Sequence, residues 1–181
     1  DPETIESALK NDPQIEVFKK ILNEKTDSSI LLDFGAGKGR IFKEIQSTTE
    51  LSSKIKHYYA IEPNPENQNY LINIGVFGCY SNYQDLENNN FDYILLCNVL
   101  HEIEPVTDWP DILNKLVLSL KPDGFIIIIE DQILPKGEKI GAEGFLILDS
   151  LCLKKLFGLE KEPSKIISSQ SNFKDRILCA L

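Results

Sequence analysis

Ile30-Leu31-Leu32-Asp33-Phe34-Gly35-Ala36-Gly37-Lys38-Gly39-Arg40 is the stretch whose reading decides the fold. Residues 30–33 read as a buried strand, three glycines alternate after it, and Ile41, Phe42 and Ile45 begin a helical pattern. A strand that feeds a helix through glycines is a nucleotide-binding turn, because a ligand lying against the backbone leaves no room for a Cβ. Spacing then selects among nucleotides. A dinucleotide fingerprint puts its third glycine at the sixth position, but the sixth residue counted from Gly35 is Arg40, and Gly39 comes one place early. A P-loop needs four residues between its glycines, then Lys and a hydroxyl residue; Lys38 instead sits between Gly37 and Gly39 with no hydroxyl following. What remains is acidic-x-Gly-x-Gly-x-Gly on Asp33, Gly35, Gly37 and Gly39, with an ordinary glycine-rich turn as the alternative.

Working outward, the helix that follows reaches about residue 51, and His57-Tyr58-Tyr59-Ala60-Ile61-Glu62 makes a second strand. An acidic residue closing that strand, about twenty residues past the glycines, is placed to accept both hydroxyls of a ribose. Glu62 lies 23 residues after Gly39. Pro63 follows it, and Pro65 opens a helix through Leu71 and Ile72. Residues 78–80 form a short third strand, and Tyr83-Gln84-Asp85-Leu86 leads through a polar turn to the fourth, Phe91-Asp92-Tyr93-Ile94-Leu95-Leu96-Cys97. Next comes Asn98-Val99-Leu100-His101-Glu102-Ile103-Glu104. It falls where an open α/β sheet binds its ligand, beyond the carboxyl ends of the strands at the point where strand order reverses.

A helix over 110–120 carries Ile112, Leu113, Leu116, Val117 and Leu120 at helical intervals. Lys121-Pro122-Asp123-Gly124 then turns into Phe125-Ile126-Ile127-Ile128-Ile129, a run suited to a strand buried on both faces and ended by Glu130-Asp131-Gln132. Residues 133–144, with Pro135, Gly137, Gly141 and Gly144, read as a loop and a potential lid. A helix over 145–157 ends at Gly158, and 164–169 with 174–181 read as a strand pair. Upstream, Asp12-Pro13 begins a helix with Ile15, Phe18, Ile21 and Leu22 on one stripe.

The 181 residues, 42% of them hydrophobic, suffice for one core of ordinary size. A net charge of −9 disfavours nucleic acid, whose phosphates need clustered Lys and Arg. No apolar run has the length of a membrane span and no basic-then-apolar leader opens the chain, so the expectation is a soluble, cytoplasmic protein with no membrane contact. Cys79, Cys97, Cys152 and Cys179 form no Cys-x-x-Cys pair and read as free thiols in a reducing compartment; a reactive Cys97 is the alternative. The chain opens at Asp1 and holds no methionine, which reads as a processed or excised piece of something longer.

With those residues in place, the chain resembles the S-adenosylmethionine-dependent methyltransferases of the Rossmann-like class: Asp33, Gly35, Gly37 and Gly39 match all four positions of their first motif. The resemblance runs from about residue 30 to the end. It implies an α/β fold, a single doubly wound, mostly parallel seven-stranded sheet with helices on both faces and a C-terminal antiparallel hairpin. Residues 1–29 are then a helical extension packed on the core, and 30–181 the cofactor-binding domain. It implies S-adenosylmethionine as cofactor, with S-adenosylhomocysteine as product, bound by Asp33, Gly35, Ala36, Gly37, Gly39, Glu62 and the turn at Asn98. Asp85 is similar to the family's acidic acceptor for the adenine amino group, with Leu86 supplying a backbone amide.

Methyl transfer is an in-line displacement that needs positioning above all. A hydroxyl acceptor profits from a base, and histidine is the natural one at neutral pH. His57 opens the second strand at the far end of the sheet and reads as structural; His101 lies past the fourth strand on the ligand side. Asn98-Val99-Leu100-His101-Glu102 also resembles the Asn-x-Leu-His-Asp-Trp motif of small-molecule O-methyltransferases, which implies His101 as catalytic base. Glu102 and Ile103 stand where that motif has Asp and Trp, and that family's large N-terminal dimerisation domain is not within these 181 residues. The Asn-Pro-Pro-aromatic motif of nucleic-acid amino-methyltransferases is not matched. A metal-assisted reading through His101, Glu102, Glu130 and Asp131 has no diagnostic spacing, so no metal is expected. Trp109 suits an acceptor pocket or the packing beneath the next helix. The expected function is methyl transfer to a small molecule, oxygen favoured. The alternatives are a protein or RNA methyltransferase domain of a longer protein and a non-catalytic binding module, and the oligomeric state is not legible.

Overall fold

The computed structural model of the chain describes residues 13–23, 28–131, 155–156 and 176–180. Helix α1 (Pro13–Asn23) precedes β1 (Ser29–Phe34), which passes through the glycines into α2 (Arg40–Gln46) and α3 (Thr49–Lys54). Strand β2 (Ile55–Ile61), α4 (Pro65–Asn73) and β3 (Gly78–Tyr80) follow. A single 3-10 turn at Tyr83–Asp85 leads to β4 (Phe91–Cys97), and two more, Leu100–Glu102 and Val106–Asp108, lead to α5 (Trp109–Ser119). The chain then forms β5 (Leu120–Asp131), and β6 (Arg176–Ala180) completes the described part.

The sheet order is β3-β2-β1-β4-β5-β6, with the first five strands parallel and β6 antiparallel to β5. After β3 the chain crosses back to the other side of β1, so the reversal of strand order falls between the carboxyl ends of β1 and β4, where such sheets hold ligands. The expected seven strands and terminal hairpin are not what the described residues form. Among them there are five parallel strands and one antiparallel strand, with no hairpin. The 164–169 arm lies outside the described residues, and β6 instead pairs Ala180 to Arg176 against Ile127 to Asp131. That pairing satisfies an edge of β5 that would otherwise offer a row of free backbone groups. The expected loop over 133–144 is also outside the described residues, as is the 145–157 helix apart from helical Lys155 and Leu156.

Alternation along each strand divides the core between two faces. Leu31, Tyr58 and Leu95 meet Phe18 and Leu22 of α1, Ile41, Phe42 and Ile45 of α2, and Leu71 of α4. Leu32, Ile94, Leu96 and Ile128 turn the other way onto Ile112, Leu113 and Leu116 of α5. Burial on both faces explains why β1, β4 and β5 read as unbroken apolar runs. Truncating a fully buried position such as Leu95 or Leu116 to Ala costs roughly 2–5 kcal/mol. Among the described residues no helix is long and apolar enough to cross a membrane.

Two local expectations are corrected. The single helix to about residue 51 is two helices, because Ser47 turns its hydroxyl back to the Glu44 carbonyl at 2.8 Å and Thr48 is extended at φ −125°, ψ 115°. Hydroxyl side chains compete with the helical ladder in this way. The turn at Lys121-Pro122-Asp123-Gly124 lies inside β5 as a wide bulge: Leu120 pairs with Phe91 and Phe125 with Tyr93, so four residues stand opposite one. Asp92 holds that bulge. Its two oxygens accept from Lys121 Nζ at 3.0 and 2.9 Å, and Oδ2 also accepts from the Ile30 amide at 2.7 Å. A Cβ on Gly124 would stand 3.0 Å from the Phe91 carbonyl, which accounts for the glycine.

Candidate functional site

The glycine turn is fixed to β2 before any ligand is considered. Gly35 and Ala36 both donate their amides to the Ile61 carbonyl, at 2.9 and 3.2 Å. Glu62, the next residue, is 6% exposed and grips the turn from the side, its Oε2 accepting from Gly37 N–H at 2.8 Å and its Oε1 from Asn64 N–H at 2.8 Å. Its own backbone is held as well, the carbonyl by Gln68 Nε2 at 2.6 Å and the amide by the Tyr80 carbonyl at 3.0 Å. A carboxylate has about four lone-pair positions. Two backbone amides therefore leave one acceptor position on each oxygen of Glu62, the number a ribose diol requires.

Gly35 and Gly37 have φ of 75° and 55°, a region that side-chain-bearing residues rarely adopt, yet their surroundings differ. A Cβ on Gly35 would come 2.4 Å from Val99 Cγ2, and one on Gly39 would come 2.9 Å from Leu71 Cδ2, whereas one on Gly37 would meet nothing within 4 Å. The turn thus packs on protein at its two ends and faces open space at its middle, beside the Glu62 carboxylate. A nucleoside fits that arrangement: room against bare backbone, with a paired acceptor next to it.

Asp33 is placed differently from its neighbours. It is 3% exposed and accepts a hydrogen bond from the Tyr58 hydroxyl across the β1–β2 pair. Burial raises its carboxyl from the usual carboxylate range to about 7, against the pull of the Tyr58 bond and of Arg40 and with a push from Glu62. Burial, and then the charge and hydrogen bond of Asp33, push the Tyr58 hydroxyl well above its ordinary value. Arg40, the first residue of α2, donates to Gln14 Oε1 at 2.5 Å and to Cys97 Sγ at 3.4 Å. The Cys97 thiol is itself 3.5 Å from Gln14 Oε1. Gln14 is 1% exposed, so this polar cluster fastens α1 to the start of α2 and the end of β4. Cys79 and Cys97 are in no disulfide among the described residues.

Asp85 stands exposed at the end of its 3-10 turn, a few residues beyond β3, while Leu86 buries its side chain among the residues under α5. The Leu86 amide donates to the Tyr83 carbonyl at a long 3.3 Å.

On the far side of the crevice the chain leaves β4 through Asn98, which has φ 53°, a left-handed conformation that Asn tolerates, and whose amide donates to the Ile129 carbonyl at 2.7 Å. Glu130 near the end of β5 organises the turn beyond Asn98. It is 2% exposed; Oε1 accepts from the amides of Val99 at 3.1 Å and Leu100 at 2.7 Å, and Oε2 lies 2.5 Å from His101 Nδ1. The two side chains are 4% and 3% exposed, so this is a desolvated, charge-capable pair. Val99 is the residue that presses on Gly35, which joins the two turns directly. Trp109, the first residue of α5, donates Nε1–H to the Ile103 carbonyl at 2.9 Å and is buried in the core with Ile112 and Leu116, which places it as packing. His57 stacks on Phe77 with centroids 3.9 Å apart, away from this crevice. Among the described residues no group of three or more His, Cys, Asp or Glu side chains converges on a metal position.

The sequence reading placed Gly35, Gly37, Glu62, Asn98 and His101 along one crevice, and these the structure brings together. It does not bring the Asp33 carboxyl to the open side, and the Leu86 amide offered for adenine donates to the Tyr83 carbonyl. Gln14, Arg40, Tyr58 and Val99 were missed, and Glu130 was weighed only as a metal ligand. The available signal for Glu130 was its pattern: Ile128-Ile129-Glu130 repeats Ala60-Ile61-Glu62, an acid closing a buried strand.

The family model of the methyltransferase domain matches residues 10–138. The chain belongs to that family. No curated protein matches the sequence. Among solved structures it is similar to a SAM-dependent methyltransferase from Aquifex aeolicus, at 18% identity and TM-score 0.65, over 99% of this chain and 97% of that one. It is also similar to the Burkholderia thailandensis 1,6-didemethyltoxoflavin-N1-methyltransferase, solved with 1,6-didemethyltoxoflavin and S-adenosylhomocysteine, at 19% identity and TM-score 0.64, over 99% and 80% of the two chains. A third is the SAM-dependent methyltransferase from Bacteroides fragilis in complex with S-adenosylhomocysteine, at 19% identity and TM-score 0.63, over 90% and 74%. At these identities the likeness is one of fold.

Proposed function

We propose that this chain transfers a methyl group from S-adenosylmethionine to a small-molecule acceptor, through oxygen, with His101 as the base. The observation that carries the reading is the crevice itself: open backbone at Gly37 beside the Glu62 carboxylate on one wall, and a buried His101–Glu130 pair on the other. S-adenosylmethionine supplies an electrophilic methyl on a sulfonium and leaves as the neutral thioether S-adenosylhomocysteine. The chain's part is placement. Glu62 takes the ribose hydroxyls, the amides of the glycine turn line the sugar and its substituent, and Asp85 meets the adenine amino group with the Leu86 amide beside it. Asp33 ties β1 to β2 below the glycine turn through Tyr58, and the Asn98 turn brings His101 to the acceptor. His101 takes the proton of the hydroxyl as its oxygen bonds to the methyl carbon.

A nitrogen acceptor is the second reading, favoured by the Burkholderia protein, whose name places its methylation on N1. Incubation with methyl-labelled S-adenosylmethionine and a fractionated pool of hydroxylated and amino metabolites separates the two. The expected outcome is label on an oxygen, with His101→Ala lowering the rate by roughly a hundredfold or more and leaving the affinity for S-adenosylhomocysteine intact. Label on nitrogen, or full activity of His101→Ala at neutral pH, would remove the base.

A further inference from the structure

We infer that Gln68 is a positioning residue of the cofactor site: from α4 it holds the backbone of Glu62 and so aims the Glu62 carboxylate at Gly37 and at the ribose. Its ligand is that of the methyl transfer proposed above, and the role rests on that reading. Glu62 lies one residue past the end of β2, where the ladder stops. Its amide still reaches the Tyr80 carbonyl at 3.0 Å, but the residue that follows is Pro63, which sends the chain away from the sheet and brings no N–H. The Glu62 carbonyl is held instead by a side chain, with Gln68 Nε2 at 2.6 Å, one turn into α4. A carbonyl takes a hydrogen, and the amide nitrogen is the only part of the glutamine side chain that gives one.

That bond closes a ring of contacts. Glu62 Oε1 accepts from the Asn64 amide at 2.8 Å, and Asn64 Oδ1 caps α4 by accepting from the amides of Glu66 at 2.9 Å and Asn67 at 3.2 Å. Gln68, on the same helix, returns to the Glu62 carbonyl. The start and the tip of Glu62 are therefore fastened to one helix. What the tip then does is set by where it is held: Oε2 accepts from Gly37 N–H at 2.8 Å, beside the open space at the middle of the glycine turn. Without Gln68 the Glu62 backbone keeps only the Tyr80 contact, and a small rotation there is carried along the side chain to the carboxylate.

Changing what the side chain can donate without changing its shape separates positioning from support. Gln68→Glu is isosteric with the native residue. Protonated, its O–H donates to the Glu62 carbonyl; ionised, it is an acceptor only and confronts that carbonyl, with the Glu62 carboxylate close by. The Kd for S-adenosylhomocysteine is measured by calorimetry on variant and wild type at pH 5 and pH 8, and their ratio at each pH removes what the two proteins share. The ratio is expected to stay below about threefold at pH 5 and to exceed about tenfold at pH 8, because only the protonated form donates. Gln68→Ala, which donates at neither pH, is expected to bind about fivefold more weakly at both. A ratio for Gln68→Glu that is the same at both pH values would overturn the inference. So would a folded Gln68→Ala that loses stability and keeps its affinity, and that result decides even where Gln68→Glu fails to fold. Hydrogen exchange of the Gly37 amide gives a readout without ligand: Gln68→Ala is expected to speed it about tenfold, and unchanged protection would overturn the role. Absence of any S-adenosylhomocysteine binding by wild type would refute the methyl-transfer reading, and the Gly37 exchange would then decide on Gln68 alone.

Discussion

Glu62 and Glu130 stand at the carboxyl ends of two parallel strands, each all but buried, and each ties down the turn leaving the neighbouring strand: the β1 turn for Glu62, the β4 turn for Glu130. The crevice lies between those two turns, so the site is a pair of walls, each held by one glutamate. They differ in what they have left to offer. Each oxygen of Glu62 accepts one backbone amide and keeps a position open, so the residue can serve both the protein and a ligand. Glu130 has three of its four positions taken by the protein, two on Oε1 by amides and one on Oε2 by His101, against two of four on Glu62. The difference between binding and positioning is here a difference in lone pairs.

The largest expected effect comes from the third buried acid, which holds no turn. Asp33 has a folded-state value of about 7 against 3.8, raised chiefly by burial. Between those values the folded state binds a proton that the unfolded state does not, so stability falls as pH rises from about 4 to 7, and the full cost is present above 7. Asp33→Asn, which can still accept from Tyr58, is expected to raise the unfolding free energy by about 4 kcal/mol at pH 8 and by much less at pH 5, measured by denaturant titration. An equal gain at both pH values would show that Asp33 titrates like an exposed acid.

Next in size is the contact between the walls. Gly35→Ala meets a left-handed φ and Val99 Cγ2 at 2.4 Å, on a residue whose backbone amide Glu130 holds. The expected loss is about 3 kcal/mol, and adding Val99→Ala is expected to recover the packing part of it. Without that recovery, the two turns are not in contact.

The comparison itself is sharpened by replacing each glutamate with glutamine. Glu62→Gln is expected to weaken S-adenosylhomocysteine by about 2 kcal/mol, roughly thirtyfold, whereas Glu130→Gln changes it little, both by calorimetry. Equal losses would erase the distinction between a ligand-facing and a protein-facing carboxylate. The smallest stability effect is expected from Gly37→Ala. Its Cβ meets open space, so only the φ of 55° opposes it, about 1 kcal/mol in thermal unfolding, while cofactor affinity falls because that space is the ligand's.

The glycine-turn side was legible because its determinants are local: three glycines at fixed spacing, and an acid at a characteristic distance along the chain. The parallel character of the sheet followed from local pattern too, since the fifth strand reads as a continuous apolar run of the kind buried on both faces. The His101 side was only half legible. His101 could be placed past β4, but its partner lies 29 residues on, joined to it across the sheet by the register that pairs Cys97 with Ile129. Spacing carries no trace of such a contact. Asp33 is the opposite case. It matches the motif, yet alternation along β1 turns its carboxyl to the Leu31 face, where Tyr58 meets it. The turn at 121–124 was misplaced because Lys121 finds Asp92 on the neighbouring strand, which keeps the residues in β5 as a bulge.

A crystal structure of the chain with S-adenosylhomocysteine tests the central claim most directly. The ribose hydroxyls are expected within hydrogen-bond distance of both Glu62 oxygens, the sugar against Gly37, and the sulfur facing the Asn98–His101 turn. Density for the ligand elsewhere, or a Glu62 carboxylate that leaves the ribose untouched, would contradict the account.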